Sequence, residues 1–413
     1  MQKNILYISY DGMTDPLGQS QVLPYLCGLS QKGYRYTLIS CEKPERYEAN
    51  SAIIEKICTE NHIDWQPMMY HKNPPVLSTI WDVISLQRKT YKLYLQKKFD
   101  LTHCRGYISS LIGLSLKRKH GVPFLFDMRG FWADEKKDAG VWPLSNPLYK
   151  LVYEFFKKKE VDFIKDSAAI ISLTHAGKNE MLRWDLGISP DKINVIPCCV
   201  DTAHFNQEYV NTEKTQALKE ELNIQPTDTI LSYLGSIGTW YMLDEMLNFF
   251  LIWLQIHPNS KLLFITHDEH ERIQKAASER NISDKIIIRP GQRHEVPALL
   301  ALSQVSLFFI RSTYSKMSSS PTKQGEIMAM GIPIICNTGV GDTDTIVKNY
   351  NSGALVSDFN EAGYCQAILD FDKKNFEPEI LRKGAIDYFD LEKGVESYFK
   401  VYHSIEACQK IKV

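Results

Sequence analysis

Short apolar runs alternate with helix-forming stretches along the whole of this 413-residue chain. That alternation restricts the fold more than any other feature. In the first half the strand-like runs are Ile5–Ser9, Tyr36–Ser40, Leu101–His103, Pro123–Phe126, Ala168–Leu173 and Asn194–Pro197. In the second half they are Thr229–Leu234, Lys261–Ile265, Lys285–Ile288, Val305–Ile310, Ile332–Cys336 and Gly353–Val356. Strands separated by helices imply βαβ units and mostly parallel sheets, hence an α/β fold. The length exceeds one ordinary core and suits two domains. The break is read near IPCCVDTAHFNQ (196–207), after which strand, glycine-containing turn and helix begin afresh. The second half would then repeat the first as another doubly wound domain. Ligands of such sheets lie outside the carboxyl ends of the strands.

One helix in the second half carries unusually explicit punctuation. In SSSPTKQGEIMAMGIPII (318–335), Ser320 is read as N-cap and Pro321 as the first helical residue. Gly331 closes the helix and Pro333 prevents its continuation. A helix N-terminus presents unpaired N–H groups and partial positive charge, which suits a phosphate. Lys323 adds a full charge in the first turn, where it opposes the macrodipole unless an anion joins it. Glu326 lies one turn after Thr322, so phosphate donors and a carboxylate share one face. An ordinary capped helix with solvated charges reads equally well from this segment alone. Arg311 and Lys316, in FIRSTYSKMSSSPTK, make the surroundings locally basic.

Composition excludes several classes. With 44% hydrophobic residues, 23% charged residues and net charge -1, the chain lacks the basic excess of a nucleic-acid binder. Its nine cysteines form no C-x-x-C pair, consistent with a reducing compartment and no metal site. MQKNILYISYDG reads as strand and turn rather than signal peptide, so a cytoplasmic chain is expected. The basic stretches 87–98 and 149–165, the latter with Leu151, Phe155 and Lys157–Lys159, leave room for contact with the inner face of the cytoplasmic membrane. A core-facing helix with a lysine edge explains them as well.

Other residues fall where strands should end. Gly12 and Gly18 follow the first strand, and Gly235 and Gly238 occupy the equivalent turn, LGSIGTW. Neither has the G-x-G-x-x-G spacing of a dinucleotide fingerprint. FLFDMRGFWADE places Asp127, Arg129 and Trp132 after a buried strand, and His103 and Arg105 end the preceding one. Arg129 suits a phosphate or carboxylate, and Trp132 suits a sugar or base. His175 or Thr174 can cap a helix, and Asp342 and Asp344 lie in a turn too sparse in ligands for a metal cage.

With these segments placed, the chain resembles the family 4 glycosyltransferases, enzymes of the two-Rossmann GT-B fold. The carriers are SYDGMTDPLGQSQVLPYL, FDMRGFWADE, VIPCCVDTAHF and, most specifically, SPTKQGEIMAMGIPIICNTGVGD. The resemblance implies two Rossmann-like domains facing a central cleft, with C-terminal helices crossing back to the first. Residues 1–200 with 387–413 would form the acceptor-binding domain, and 201–386 the donor-binding domain. It further implies a nucleotide-diphosphate sugar donor, no cofactor or metal, and transfer of a hexose with retention to a growing glycan or lipid-linked acceptor, as in bacterial surface polysaccharide synthesis. Donor contacts would come from Gly18, Gly235, Ser236, Arg311, Ser320, Thr322, Lys323 and Glu326. Acceptor contacts would come from His103, Arg105 and Trp132, and Arg129, Asp127 and Lys323 would act at the reacting centre.

Glu326 matches the second acid of the family's E-x7-E pattern, whereas Ser318 stands at the first. The usual diphosphate-binding Arg and Lys are replaced near Ser236 and Tyr241, and the usual loop histidine near Arg129. Lys323, Arg311 and the helix N-terminus are the expected substitutes. The same losses suit a catalytically silent scaffold in a glycan-assembly complex, and an epimerase or phosphorylase on this fold is a third reading.

Overall fold

A computed structural model describes residues 3–268 and 270–410; the outermost residues of the expected domain ranges, 1–2 and 411–413, lie outside it. The chain divides into two compact units. One runs to Pro197 and includes the segment from Leu391 on, and the other is Cys198–Asp390.

The first unit is built on a seven-stranded sheet ordered β3-β2-β1-β4-β5-β6-β7. Its strands are β1 (Lys3–Ser9), β2 (Tyr34–Glu42), β3 (Ile63–Met69), β4 (Leu101–Arg105), β5 (Phe124–Asp127), β6 (Ala169–Ser172) and β7 (Ile193–Val195). All pairings are parallel. β1, β5 and β6 are covered on both faces and read as apolar runs rather than alternating ones, whereas β4 (LTHCR) is equally buried but carries His103 and Arg105 at its end. β3 was not among the expected strands. Its sequence, IDWQPMM, is mostly half-buried and contains Pro67, which only an edge strand accommodates easily.

The helix Leu391–Lys410 belongs to this first unit. A Cβ on Gly28 would stand 2.8 Å from a Val395 methyl, so the absence of a side chain there lets this helix approach Leu23–Gln31 closely. Tyr398 and Tyr402 pack edge-on against Tyr25 and Tyr34. Phe389, within the 387–413 range expected for the first domain, lies in the second unit instead. It is buried against Gly325, where a Cβ would be 2.9 Å from it.

The second unit repeats the design with six strands ordered β10-β9-β8-β11-β12-β13. They are β8 (Thr229–Leu234), β9 (Ser260–Ile265), β10 (Ile286–Ile288), β11 (Val305–Phe308), β12 (Ile334–Asn337) and β13 (Gly353–Val356). β11 stops two residues short of the expected end. The amide of Asn337 replaces the ladder there, accepting the Ile310 N–H at 2.7 Å and donating to the Ile310 carbonyl at 2.9 Å. In each sheet the order reverses beside the first strand, at β1/β4 and β8/β11. Both are two-way wound Rossmann-like sheets, and these reversals mark where a ligand crevice opens.

Candidate functional site

The second sheet's reversal point is occupied by the Gly235–Tyr241 loop, which follows β8. Gly235 has φ +104, a conformation that favours glycine. The Asp268 carboxylate organises the loop, accepting from the Ser236 hydroxyl at 2.7 Å and the Ile237 N–H at 2.6 Å. Its far end is tied to the strand beyond β11: Arg311 N–H donates to the Trp240 carbonyl at 2.9 Å, and Tyr241 bridges to Ile310.

Against this loop lies the punctuated helix, Thr322–Ala329. Gly331 (φ +71) closes it as expected, with its N–H on the Met328 carbonyl and the Ile332 N–H on Ile327. The beginning differs from expectation. Pro321 takes the N-cap position and no side chain caps the helix. The Ser320 hydroxyl instead accepts the Cys198 N–H at 3.2 Å, holding the start of the second unit to the helix. Thr322 opens the helix half-buried. Gly325 allows the helix to press on Phe389 and Val200.

Lys323 is buried, and its ammonium reaches beneath the loop. Nζ donates to the Tyr233 hydroxyl at 3.2 Å and lies 3.7 Å from the Tyr241 ring centroid. The Tyr233 hydroxyl in turn donates to the Ser236 carbonyl. Desolvation lowers the Lys323 pKa to about 7, against the raising effects of Glu326 and Asp268. One turn on, Glu326 is largely buried. Desolvation raises its pKa while Arg293, 3.9 Å away, and Lys323 draw it down. Lys316 is buried too, with Nζ 3.7 Å over the Trp240 ring. Arg311 is exposed. Two consecutive aromatic residues thus each cover a buried lysine. Gln324 is fully buried, and its amide atoms find no hydrogen-bond partner among the described residues.

Ser318, where the family pattern has an acid, is buried and donates to the Ser315 carbonyl at 2.8 Å. The Asp342 and Asp344 carboxylates are engaged in shaping a turn. Asp344 accepts the Gly339 N–H at 3.2 Å and Asp342 accepts from the Tyr388 hydroxyl at 2.6 Å. No metal-ligand group of three or more His, Cys, Asp or Glu occurs among the described residues.

In the first unit the β1 loop winds around a buried carboxylate. Glu42 accepts the Met13 and Thr14 N–H groups at 2.8 and 3.0 Å. Gly18 serves this winding: a Cβ there would stand 2.6 Å from the Met13 Cα. Its demand for glycine therefore comes from backbone packing within the loop.

The ends of β4 and β5 gather a buried charged cluster. Burial pushes the Asp127 carboxyl up, but Arg129, His103 and Arg105 outweigh it and hold the pKa below the usual value. Burial also lowers the His103 pKa despite Asp127, keeping the imidazole neutral. In the neutral tautomer that satisfies both nitrogens, His103 donates from Nε2 to Asp127 at 3.3 Å and accepts at Nδ1 from the Tyr402 hydroxyl at 2.7 Å. Tyr398 donates to Asp127 at 3.1 Å. Arg129 lies 3.8 Å from Asp127 and adopts φ +54, a strained backbone for a side chain of this size.

This geometry corrects the expected acceptor contacts. His103 is enclosed and engaged at both nitrogens, and Arg105 is buried beside Asp11 and Asp127. Trp132 is half-buried among Tyr107, Trp142 and Phe156, so its ring fills an aromatic cluster rather than standing free for a sugar. Thr174 caps its helix by accepting the Gly177 N–H at 2.9 Å. Sequence reasoning missed Tyr233, Trp240, Asp268 and Arg293. Asp268 alone had a readable signal, standing three residues beyond a recognised strand.

Comparison with known proteins places the two units. Residues 20–204 match the model of Glycosyltransferase Family 4, and residues 214–387 match that of Glycosyl transferases group 1. No curated protein matches the chain by sequence. Among solved structures, sucrose-phosphate synthase from Thermosynechococcus elongatus is similar at TM-score 0.74 and 14% identity, covering 98% of this chain and 100% of that one. Anabaena Alr3699/HepE in complex with UDP is similar at TM-score 0.71 and 11% identity, covering 98% and 100%. A glycosyltransferase from Rickettsia africae is similar at TM-score 0.68 and 15% identity, covering 98% of each. At such identities these likenesses speak for the fold. The two family matches follow one another across both Rossmann-like units, and the chain belongs to the family 4-like glycosyltransferases of the GT-B fold.

Proposed function

We propose that this glycosyltransferase moves a hexose from a nucleotide-diphosphate sugar to a growing glycan or lipid-linked acceptor, with retention, in surface polysaccharide assembly. The carrying observation is the Lys323 ammonium beneath the Gly235 loop, with Glu326 one turn further along the same helix. The second unit binds the donor in this reading. Glu326 accepts from the ribose hydroxyls, while Lys323, Arg311 and the first-turn N–H groups of Thr322–Ala329 meet the diphosphate. Anabaena HepE, similar in fold, is described in complex with UDP-glucose, which supports this donor class.

During transfer the anomeric C–O bond breaks and its electron pair leaves with the nucleoside diphosphate. The acceptor hydroxyl forms the new bond and passes its proton to the departing phosphate oxygen. Negative charge grows on the leaving diphosphate, so a cation in a desolvated setting stabilises the transition state more than the ground state. The usual family cations are absent at Ser236 and Tyr241, and Lys323 supplies the charge from a different element. The first unit takes the acceptor in this reading, with Arg129, paired with Asp127 at the β5 end, contributing positive charge toward a second anionic group.

The test is mass-resolved detection of glycosylated product across a panel of nucleotide sugars. Lys323→Ala and Glu326→Ala should each reduce transfer at least about 100-fold, in line with loss of a preorganised charge in a desolvated site. Full turnover by both variants would remove the site from the reaction.

A further inference from the structure

Just past the carboxyl end of β3, a buried carboxylate holds His71. The imidazole Nδ1 lies 2.5 Å from Asp82 Oδ1, and the His71 backbone N–H donates to Asp82 Oδ2 at 3.1 Å. Asp82 sits near the start of the helix Leu77–Gln96 and is 2% exposed. Its Oδ2 also accepts from the Tyr10 hydroxyl at 2.9 Å. Burial and the Asp82 charge push the Tyr10 hydroxyl well up, so it stays protonated and donates. Tyr10 directly follows β1, and its neighbour Asp11 lies 3.4 Å from Arg105 at the end of β4. The trio of His71, Asp82 and Tyr10 therefore stands beside the β1/β4 reversal, on the face where the first sheet's crevice opens.

Among the described residues no Lys or Arg pairs with Asp82, so His71 and Tyr10 answer its charge. A carboxylate only accepts, so in the neutral ring Nδ1 carries the hydrogen and Nε2 is left with a lone pair. The His71 side chain is 50% exposed, and Nε2 makes no hydrogen bond among the described residues. His103 is the opposite case, enclosed and engaged at both nitrogens. Tethering the segment between β3 and the helix needs only the backbone N–H and Nδ1, which leaves the outward nitrogen for something else. Tyr70, half-buried, packs edge-on against Tyr10 with ring centroids 5.6 Å apart, adding aromatic surface next to the imidazole in sequence.

We propose that His71 is a subsite for the acceptor glycan, taking the hydrogen of a sugar hydroxyl at Nε2, with Asp82 as its positioning residue. The ligand class is a neutral hexoside, because the atom on offer is a lone pair and the two tyrosines bring no charge. This inference rests on the reading that the first unit takes the acceptor. It adds a specificity contact away from the reacting atoms, and the proton of the reacting hydroxyl still goes to the departing phosphate oxygen.

The experiment uses the full chain, the nucleotide sugar it turns over in the panel above, and p-nitrophenyl glucosides, galactosides and mannosides as acceptor probes. Wild type should glycosylate at least one hexoside. His71→Asn keeps an N–H toward Asp82 and removes Nε2, so the hexoside KM should rise about three- to tenfold while donor KM and thermal unfolding match the wild type. A deoxy hexoside lacking the contacted hydroxyl should serve wild type and His71→Asn alike. Asp82→Asn keeps an oxygen for Tyr10 and the His71 N–H but turns an amide N–H toward Nδ1. The ring hydrogen then moves to Nε2, and the hexoside KM should rise to the same extent. Nitrogen-resolved imidazole NMR spectra at pH 8 should show Nδ1–H in the wild type and Nε2–H in Asp82→Asn. Unchanged hexoside KM in both variants, or Nε2–H in the wild type, would overturn the subsite and leave the transfer reaction standing. Donor hydrolysis without transfer to any hexoside would overturn the assigned ligand class. No turnover of any nucleotide sugar would overturn the donor reading and the subsite together.

Discussion

The Lys323 ammonium stands where Gly235 has no side chain: a Cβ on that glycine would lie 3.3 Å from Nζ. The φ of +104 at Gly235 and the burial of Lys323 are therefore two aspects of one arrangement, a loop folded down over a cation from another element. Gly235→Ala introduces both a strained backbone and a methyl group against the ammonium. It should destabilise the protein by about 1–3 kcal/mol in urea unfolding and weaken nucleotide-sugar binding at least tenfold. Wild-type values for both would detach the loop from the lysine.

Lys323 should also make donor binding pH-dependent. Its pKa of about 7 means that the folded protein loses the charge as pH rises through neutrality. A diphosphate selects the protonated form, so affinity should be greatest below pH 7 and fall by up to about tenfold per unit above it, with proton uptake on binding. Stability changes in the opposite sense. The unfolded lysine stays protonated up to its ordinary value, 10.5, so the burial penalty is complete below pH 7 and diminishes between 7 and 10.5. Lys323→Met should abolish the pH dependence of binding and raise stability most at acid pH, measured by calorimetry in buffers of different ionisation enthalpy and by thermal unfolding.

The ribose role proposed for Glu326 is separable from its proximity to Lys323. Replacing a charged acceptor should lose about 1.5–3 kcal/mol of binding, so Glu326→Gln is expected to weaken the natural donor by roughly ten- to 100-fold. A donor lacking the ribose hydroxyls should bind wild type weakly and be nearly indifferent to the substitution. Equal losses for both donors would place Glu326 elsewhere in the site.

Most of the architecture was readable because buried parallel strands print themselves as apolar runs. β3 was hidden because an edge strand mixes half-buried polar residues with Pro67. The helix 322–329 was legible from its glycine stop and proline start, but its cap was misassigned. Ser320 has the right chemistry for an N-cap, yet tertiary structure directs its hydroxyl to Cys198, 122 residues away in sequence. His103, Arg105 and Trp132 were recognised as residues at strand ends. Their enclosure depends on Tyr398, Tyr402, Trp142 and Phe156, whose approach no local pattern announces. Tyr233 read as part of a buried strand, and only the fold shows its hydroxyl joining Lys323 to Ser236.

The buried cluster in the first unit gives a structural prediction. Tyr402→Phe deprives His103 Nδ1 of its donor, and Tyr398→Phe removes one of the hydrogen bonds to Asp127. Each should reduce stability by about 1–3 kcal/mol in urea unfolding. Because the helix Leu391–Lys410 carries both tyrosines, amide exchange along that helix should quicken in the same variants. Unchanged exchange would mean that apolar contacts such as Val395 with Gly28 hold the helix alone.

Gln324 should show the reverse sign. A fully buried amide without partners is unfavourable by about 1–3 kcal/mol, and methionine has similar volume without that penalty. Gln324→Met should raise the melting temperature, and a fall would show that the amide is satisfied in solution.

The central claim is that the second unit grips a nucleotide-diphosphate sugar through Lys323. Calorimetric titration of a nucleotide-sugar panel into wild type and Lys323→Met at pH 6 and pH 8 tests it most directly. The account predicts that a donor binds wild type more tightly at the lower pH, and that the variant binds it at least about 100-fold more weakly with no pH dependence. Equal affinity of the two proteins at both pH values, or no binding of any donor by the wild type, would contradict it.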